Sequence, residues 1–310
     1  MIIVCENCKT RFELDDGAIQ DKVFRVKCSE CDHLFTAYKS PASSETTYLL
    51  KKNPVVEQPK NASVNQRKII AICNQKGGVA KTSTCLNLGT ALSVLNKRVL
   101  LVDFDLQASM TILLGYKGKK SLYDILDASM EEMLAAIQNP YRNLWLLPSN
   151  NRMMLLQNHN NKKFEWILKD KLSLIAKHFD YIVIDTPPSV EFFTLNALMA
   201  ADLVIIPTQC EFLSLNGVSC MDDILQSIKH KKGSALEYRI LATMYDEKNV
   251  ASKAIYNKLK TTYKDKFFDV AIELDKKIQE SQIFKKPILY YDKNSQSAAQ
   301  YLALAKAITS

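Results

Sequence analysis

The chain has 310 residues, of which 47% are hydrophobic and 24% are charged, and its formal net charge is +8. This composition argues against a disordered or fibrous protein, and no apolar run approaches the roughly 18 residues that a membrane-spanning helix needs. Residues 1–6 contain neither a basic stretch nor an apolar stretch long enough for a signal peptide. We therefore expect a cytoplasmic protein that has no membrane partner.

The first 40 residues hold a cysteine cluster. Two Cys-x₂-Cys pairs, separated by 19 residues, supply Cys5, Cys8, Cys28 and Cys31. Each pair presents two thiolates from one tight turn, a spacing typical of tetrahedral Zn²⁺ sites, whereas disulfides and redox pairs are disfavoured in a reducing cytosol. We predict a zinc-binding module over residues 1–40, which resembles a small zinc-ribbon found at the start of some bacterial proteins. Cys73, Cys85, Cys210 and Cys220 stand among apolar residues and are predicted to be buried.

A linker and a large domain follow the cysteine cluster. Residues 41–66 contain three prolines among polar residues, which is the composition of a semi-extended linker. From residue 67 to residue 310, short apolar runs alternate with helical segments. The runs lie at residues 69–73, 99–102, 181–184, 203–206 and 240–242. Continuous apolar runs indicate strands buried on both faces, so we predict an α/β domain with a doubly wound, mostly parallel sheet.

A glycine-containing turn joins the first predicted strand of this domain to its first helix. Residues 74–82 read NQKGGVAKT. Backbone N–H groups at such a turn converge on phosphate oxygens, and the helix dipole favours their negative charge. Lys81 would reach the β- and γ-phosphates, and the Thr82 hydroxyl would hold Mg²⁺. The predicted nucleotide-binding residues are Gly77, Gly78, Val79, Ala80, Lys81, Thr82 and Ser83.

The turn departs from the strict pattern G-x-x-x-x-G-K-[ST], because Gln75 and Ala80 stand where that pattern has glycine. The alternative is a chance glycine pair before a helix, although the chain has only 8 glycines. The sequence K-G-G-x-x-K-T that begins at Lys76 resembles the deviant Walker A motif of the ParA/MinD family of dimerising ATPases. That resemblance implies that Lys76 acts in trans across an ATP-sandwich dimer. Alanine at position 80 would be tolerated at a negative φ, while narrowing the loop.

Acidic residues follow two further predicted strands, at the sheet edge where open α/β sheets bind ligands. Asp103 and Asp105 lie in DFDLQ, which resembles the family segment D-x-D-P-Q, and Asp185 begins DTPPS, which resembles the family's D-T-P-P. The resemblance implies that Asp105 orients the attacking water. It also implies that Asp185 binds Mg²⁺ through the water shell, while Asp103 supports that shell or the loop.

The resemblance covers roughly residues 67–310 and favours the ParA branch, which moves DNA or protein cargo over the nucleoid. It places Pro207 and Gln209 near the adenine. Between residues 229 and 286 we count 14 Lys and Arg against 8 Asp and Glu, a balance of +6 that fits an anionic partner. The predicted DNA-binding residues are Lys276, Lys277, Lys285 and Lys286.

The leading hypothesis is a Mg²⁺-dependent, slow ATP hydrolase that dimerises on ATP binding and holds DNA non-specifically near the nucleoid. Residues 1–38 carry 5 Lys and Arg against 7 Asp and Glu, so the zinc module is a better site for a cargo or adaptor protein that stimulates hydrolysis than for DNA. Two alternatives remain open. One is a zinc-containing ATP switch for transcription or assembly, and the other is an ATPase that transfers metal or clusters.

Overall fold

The computed structural model describes residues 2–4, 11–13, 23–29, 34–38, 68–117, 120–125, 128–156, 165–189, 191–233 and 236–310. The chain divides into two compact units, Met1–Lys52 and Asn53–Ser310. The predicted linker, residues 41–66, lies outside the described residues, so its boundaries stay a prediction.

The amino-terminal unit contains two antiparallel strand pairs. Strand β1 (Ile2–Val4) pairs with β2 (Arg11–Glu13), and β3 (Val23–Lys27) pairs with β4 (Leu34–Tyr38). Cys28 directly follows β3 and is buried. The other predicted zinc ligands, Cys5, Cys8 and Cys31, lie outside the described residues, and the zinc site remains a prediction.

In the second unit strands alternate with helices, as its short apolar runs predict. Its strands are β5 (Lys68–Ile72), β6 (Val99–Asp103), β7 (Gln138–Tyr141), β8 (Leu144–Leu147), β9 (Tyr181–Asp185), β10 (Leu203–Gln209), β11 (Glu237–Tyr245) and β12 (Ile272–Glu273). Its helices are α1 (Lys81–Val94), α2 (Ser109–Leu113), α3 (Met130–Ala136), α4 (Ile167–Ile175), α5 (Phe192–Ala200), α6 (Ser214–Lys232), α7 (Val250–Tyr263), α8 (Lys276–Ile283), α9 (Ile288–Tyr291) and α10 (Gln296–Thr309).

These strands form one sheet in the order β12-β11-β10-β5-β9-β6-β8-β7. All neighbours pair in parallel except β7, which is antiparallel to β8 at one edge. Helices cover both faces, and the side chains of the central strands alternate between two apolar cores. Along β5, Ala71 packs toward the helices α3 to α7, whereas Ile70 and Ile72 pack toward α1 and α10. The predicted doubly wound, mostly parallel fold is therefore confirmed.

Close packing on the second face depends on one glycine of α1. A Cβ at Gly89 would lie 2.4 Å from Leu101 Cδ2 on β6, so any larger residue would force that buried side chain or the helix to move. The contact fixes α1, and with it the turn that precedes this helix, against the centre of the sheet.

The structure corrects the prediction for one cysteine. Cys73, Cys85 and Cys210 are buried as predicted, but Cys220 is exposed. It precedes Met221, which lies on the buried stripe of α6, so its side chain leaves the opposite side of the helix. No helix in the described parts of the chain has the length and apolarity needed to cross a membrane.

Candidate active site

Three central strands end together at one edge of the sheet. Ile72 is in register with Asp185, and Asp185 is in register with Asp103. Residues 73–80, which follow β5 and lead into α1, therefore lie beside both carboxylates. Parallel pairing alone brings together groups that are 113 residues apart, counted from Ile72 to Asp185.

The turn before α1 is held from both sides. The Asn74 amide donates to the Pro207 carbonyl at 2.8 Å, and its side-chain oxygen accepts the backbone N–H of Lys76 at 3.0 Å. The Thr243 hydroxyl donates to the Val79 carbonyl at 3.1 Å. Strands β10 and β11 thus fix the loop that would receive phosphate.

Two residues of this turn adopt left-handed backbone. Gly78 has φ 73° and Ala80 has φ 65°, and Ala80 also caps α1, where its carbonyl accepts the Thr84 N–H at 2.8 Å. The negative φ under which alanine would be tolerated is therefore not what this position adopts. A Cβ in the left-handed region crowds the following carbonyl, so Ala80 is strained.

Lys81, the first residue of α1, is buried at the base of the turn. Its Nζ donates to the Lys76 carbonyl at 2.9 Å, so the ammonium lies inside the curve of the loop. Burial lowers the pKa of Lys81, while the neighbouring Asp185 and Asp105 charges oppose that shift. The Lys81 ammonium therefore lies where it can contact an anion that binds inside the loop.

Asp185 is the group most in need of a cation. Its side chain is fully buried, and neither carboxylate oxygen accepts a hydrogen bond of normal geometry among the described residues. Burial and then the Asp103 charge raise the pKa of Asp185 well above its usual range, and the nearby Thr82 hydroxyl lowers it only in part. A bound divalent ion would compensate this carboxylate, so Thr82 and Asp185 fit Mg²⁺.

No cluster of three or more His, Cys, Asp or Glu side chains that could hold a metal occurs in the described residues. This agrees with a Mg²⁺ site, because that ion is usually held by one or two carboxylates, water and substrate phosphates.

The other two acids accept hydrogen bonds from α2 and from the loop that precedes it. Asp103 Oδ2 accepts the Thr111 hydroxyl at 2.6 Å and its N–H at 2.8 Å, so Asp103 anchors α2. Burial raises the pKa of Asp103 to about 6, against the lowering effect of the Thr111 bonds. Asp105 is buried and accepts the Gln107 N–H at 2.9 Å. These bonds favour a loop-supporting role for Asp103 and leave Asp105 at the cavity.

A cavity of about 550 Å³ opens at this edge. The turn lines one end through Gly77, Gly78, Ala80, Lys81, Thr82 and Ser83, together with Asp105 and Thr186. The far end is lined by Thr243, Met244, Ile272, Glu273, Leu274, Asp275, Ile278, Gln279 and Gln282. The far end of the cavity was not predicted from the sequence, because β12 is too short to produce a pattern and α8 carries few apolar residues.

Pro207 and Gln209 are not among the residues that line this cavity. The Pro207 carbonyl is occupied by Asn74, and the Gln209 amide lies 3.4 Å from the Met244 sulfur. Within the described residues both support the cavity wall from behind, and their predicted contact with adenine stays a prediction.

Lys76 also lies outside the lining of its own cavity. Its half-exposed ammonium contacts Glu211 Oε2 at 2.5 Å and the Gln209 side-chain oxygen at 3.4 Å. Directly after Glu211, the side chains of Phe212 and Leu213 are 77% and 68% exposed. The signature lysine therefore faces the surface beside an uncovered apolar pair.

The four predicted DNA-binding lysines are all exposed, around α8. Lys277 contacts Glu280 at 2.9 Å, whereas no ion pair of Lys276, Lys285 or Lys286 is found in the described chain. Lys277 is thus partly neutralised by its own helix, and the other three remain available to an anionic partner.

Comparison with known proteins agrees with this site. The family model of an AAA domain matches residues 67–240, and the model of a zinc-ribbon domain matches residues 1–36. The chain is 33% identical over 256 residues to the chromosome partitioning protein ParA of Caulobacter vibrioides, covering 80% of this chain and 96% of the relative. The chain belongs to the ParA family of ATPases. The recognition made from the deviant Walker A motif is confirmed, as is the zinc-ribbon preceding a P-loop domain.

Two further family similarities extend over the ATPase domain. The chain is 36% identical over 249 residues to the sporulation initiation inhibitor protein Soj of Bacillus subtilis, covering 78% of this chain and 98% of Soj. A cobyrinic acid a,c-diamide synthase from Mycobacterium smegmatis, whose structure holds an ATP analogue and magnesium, is 30% identical with a TM-score of 0.64. That comparison covers 78% of this chain and 94% of the synthase.

Proposed function

We propose that this ATPase dimerises on ATP binding, holds DNA without sequence specificity and releases it on slow hydrolysis, thereby positioning DNA or protein cargo. The observation that carries the dimer is the placement of Lys76. Its ammonium is absent from the lining of its own cavity, yet it lies at the surface beside exposed Phe212 and Leu213. A lysine so placed is suited to reach the phosphates of a second copy that covers this apolar pair.

Because Lys76 contacts Glu211, dimerisation through Lys76 requires an anion that competes with the Glu211 carboxylate. In one chain the Lys76 ammonium contacts Glu211 in a solvent-exposed ion pair, which is weak enough for a more highly charged anion to displace Glu211. The triphosphate of a facing copy is such an anion. ATP would therefore serve both as substrate and as the bridge between the copies.

Hydrolysis in the proposed dimer needs, besides Lys76, residues for three tasks: holding phosphate, holding Mg²⁺ and orienting water. Lys81 and the backbone of the turn would hold the phosphates, Thr82 and Asp185 would hold Mg²⁺, and Asp105 would orient the water that attacks. Mg²⁺, where bound, supplies charge neutralisation at the phosphate oxygens. Because the Lys76 charge arrives only in trans, turnover is expected to be slow and coupled to dimerisation.

DNA retention is proposed to use Lys276, Lys285 and Lys286, with Lys277 contributing less because of Glu280. Contacts from lysine to phosphate carry no sequence information, which fits a non-specific and salt-sensitive grip. The zinc-ribbon, with its acidic balance, would instead recognise the cargo or adaptor protein. We accordingly place the protein in the cytoplasm, associated with the nucleoid.

Size-exclusion chromatography tests this proposal on the full chain, with Mg²⁺, ATP and duplex DNA of arbitrary sequence. Asp105→Ala should form an ATP-dependent dimer that co-elutes with DNA at low salt, because water is no longer oriented for attack. Lys76→Ala should remain a monomer that still binds ATP. If the Asp105 variant gave no dimer, or a dimer without DNA at low salt, the proposal would be wrong.

A further inference from the structure

Two stacked aromatic pairs lie on the surface formed by α8, α9 and the β7 edge. Phe284 stacks on Tyr291 with ring centroids 5.4 Å apart and an interplanar angle of 22°. Tyr290 stacks on Tyr141 with centroids 4.0 Å apart and an angle of 11°. Each outer ring remains uncovered, since Phe284 is 62% exposed and Tyr290 is 40% exposed.

Lys285 is an exposed cation next to the first of these pairs. It follows Phe284 in the chain, and its Cδ lies 3.7 Å from where a Cβ would stand at Gly115. Tyr290 of the second pair and Tyr291 of the first are consecutive residues of α9, so the two pairs are neighbours on the surface. We call the surface made by these two pairs and Lys285 the aromatic–basic strip.

The strip is basic but is not a dense field of positive charge. Residues 275–291 contain four lysines and two acids, and one of those acids, Glu280, accepts both the Lys277 ammonium at 2.9 Å and the Tyr291 hydroxyl at 3.0 Å. The Lys277 ammonium also lies 6.0 Å from the centre of the Tyr291 ring. Glu280 thus fixes one lysine and one ring, while Lys285 and Lys286 stay exposed beside the outer rings.

Exposed rings alternating with lysines match one kind of ligand better than any other. Bases of a single strand have free faces that stack on aromatic side chains, while the phosphates that follow them reach the intervening cations. Bases of a duplex are already stacked on one another, so their faces are not free to stack on exposed rings. We propose that the aromatic–basic strip binds single-stranded nucleic acid by base stacking, an activity beyond the proposed duplex retention.

Fluorescence anisotropy of a labelled oligothymidine with the full-length, nucleotide-free protein tests this inference. At equal phosphate number the single strand should bind more tightly than a duplex. Phe284→Ala should weaken single-strand binding by about fivefold or more, since one base–ring stack accounts for roughly 1–3 kcal/mol. The same change should alter duplex affinity by less than about twofold.

Matched variants separate stacking from charge and from misfolding. Ile283→Ala removes the neighbouring apolar side chain, which is exposed but has no ring, and should leave single-strand affinity unchanged. Lys285→Gln should reduce the dependence of log affinity on log salt by about 0.7, whereas Phe284→Ala should leave that slope unchanged. Thermal melting of each variant establishes that it is folded.

Three results would overturn the inference. They are equal affinity for single strand and duplex, an equal loss for both ligands in Phe284→Ala, and stronger binding to phosphatidylserine vesicles than to oligothymidine at the same salt. The first two results would mean that the strip binds nucleic acid only through attraction between lysine and phosphate. The third would mean that the strip is a lipid-binding surface. Failure of ATP-dependent duplex retention would contradict the proposed function while leaving the strand preference of the nucleotide-free protein intact.

Discussion

Alanine occupies left-handed backbone at two turns beside the cavity, Ala80 with φ 65° and Ala108 with φ 50°. Each residue immediately precedes a helix, α1 or α2, whose start depends on that turn. The left-handed conformation costs an alanine roughly 1–2 kcal/mol, whereas glycine adopts it freely. The loop expected to bind phosphate and the loop that carries Asp105 are therefore both built with stored backbone strain.

We predict that Ala80→Gly raises the free energy of unfolding by about 0.5–1 kcal/mol, the relief of strain exceeding the extra chain entropy of glycine. Urea denaturation measures the change. Gly78→Ala, at φ 73°, should lower the free energy of unfolding by a comparable amount. Gly77→Ala is the neutral control, because Gly77 has open space around its Cβ and no positive φ. A destabilised Ala80→Gly variant would contradict the strain at this position.

Asp185 is the second residue near the cavity that is expected to lower the free energy of unfolding. Since burial raises its pKa in the folded chain, the folded state binds the proton more tightly than the unfolded state does. The free energy of unfolding therefore falls as pH rises above the unfolded value near 4, through the folded pKa.

We predict that Asp185→Asn stabilises the ligand-free protein at neutral pH, by on the order of 1 kcal/mol, and abolishes Mg²⁺-dependent ATP binding. The stability difference from wild type should be small near pH 4 and grow as pH increases. Thermal melting across this pH range, with and without Mg²⁺ and ATP, measures both effects. Equal pH dependence in the two proteins would contradict an uncompensated carboxylate.

At the scale of elements, α8 lines the cavity with one side and exposes lysines on another. Ile278, Gln279 and Gln282 line the cavity, whereas Lys276 and Lys277 are exposed. The Gln282 amide donates to the Ser83 hydroxyl at 3.0 Å, which ties α8 to the first turn of α1 beside Thr82. A helix placed in this way joins the nucleotide cavity to the basic surface directly.

We predict that Gln282→Ala weakens ATP-analogue binding by about two- to tenfold, the equivalent of one hydrogen bond of about 0.5–1.5 kcal/mol. Calorimetric titration measures the loss. Ser83→Ala should cost a similar amount, and the double variant little more than either single one, because both changes remove the same bond. Fully additive losses would mean that the bond does not link α8 to the cavity.

At the scale of the whole molecule, the zinc-ribbon and the ATPase domain are expected to fold independently. Cys28 is buried directly after β3, while the other three predicted ligands lie outside the described residues. A zinc site so small carries most of the folding free energy of its own module. The ATPase domain has two apolar cores of its own, one on each face of its sheet.

We predict that Cys28→Ser, or prolonged chelation, releases Zn²⁺ and unfolds residues 1–40 while leaving ATPase activity within about twofold of wild type. Metal analysis and limited proteolysis report the first effect, and phosphate release reports the second. Zn²⁺ should be held tightly in the unaltered protein. Metal that exchanges within minutes would instead favour the metal-transfer alternative.

The sequence by itself determined the domain class, the family and the composition of the phosphate turn. Short apolar runs are a local signal, because strands buried on both faces need no other pattern, and the K-G-G-x-x-K-T turn is contiguous. β8 was missed although Leu144–Leu147 is an apolar run of the same kind, and β12 was missed because it has only two residues.

Only the tertiary structure decided where the side chains act. Strand register placed Asp103 beside Asp185 and gave Thr111 the bonds that turn Asp103 toward the α2 loop. Folding also brought α8 to the far end of the cavity and paired Lys76 with Glu211, which is 135 residues away. The left-handed backbone of Ala80 could not be predicted from the sequence either, since alanine rarely adopts that conformation. Local patterns specify elements, whereas contacts between distant segments exist only once the sheet has assembled.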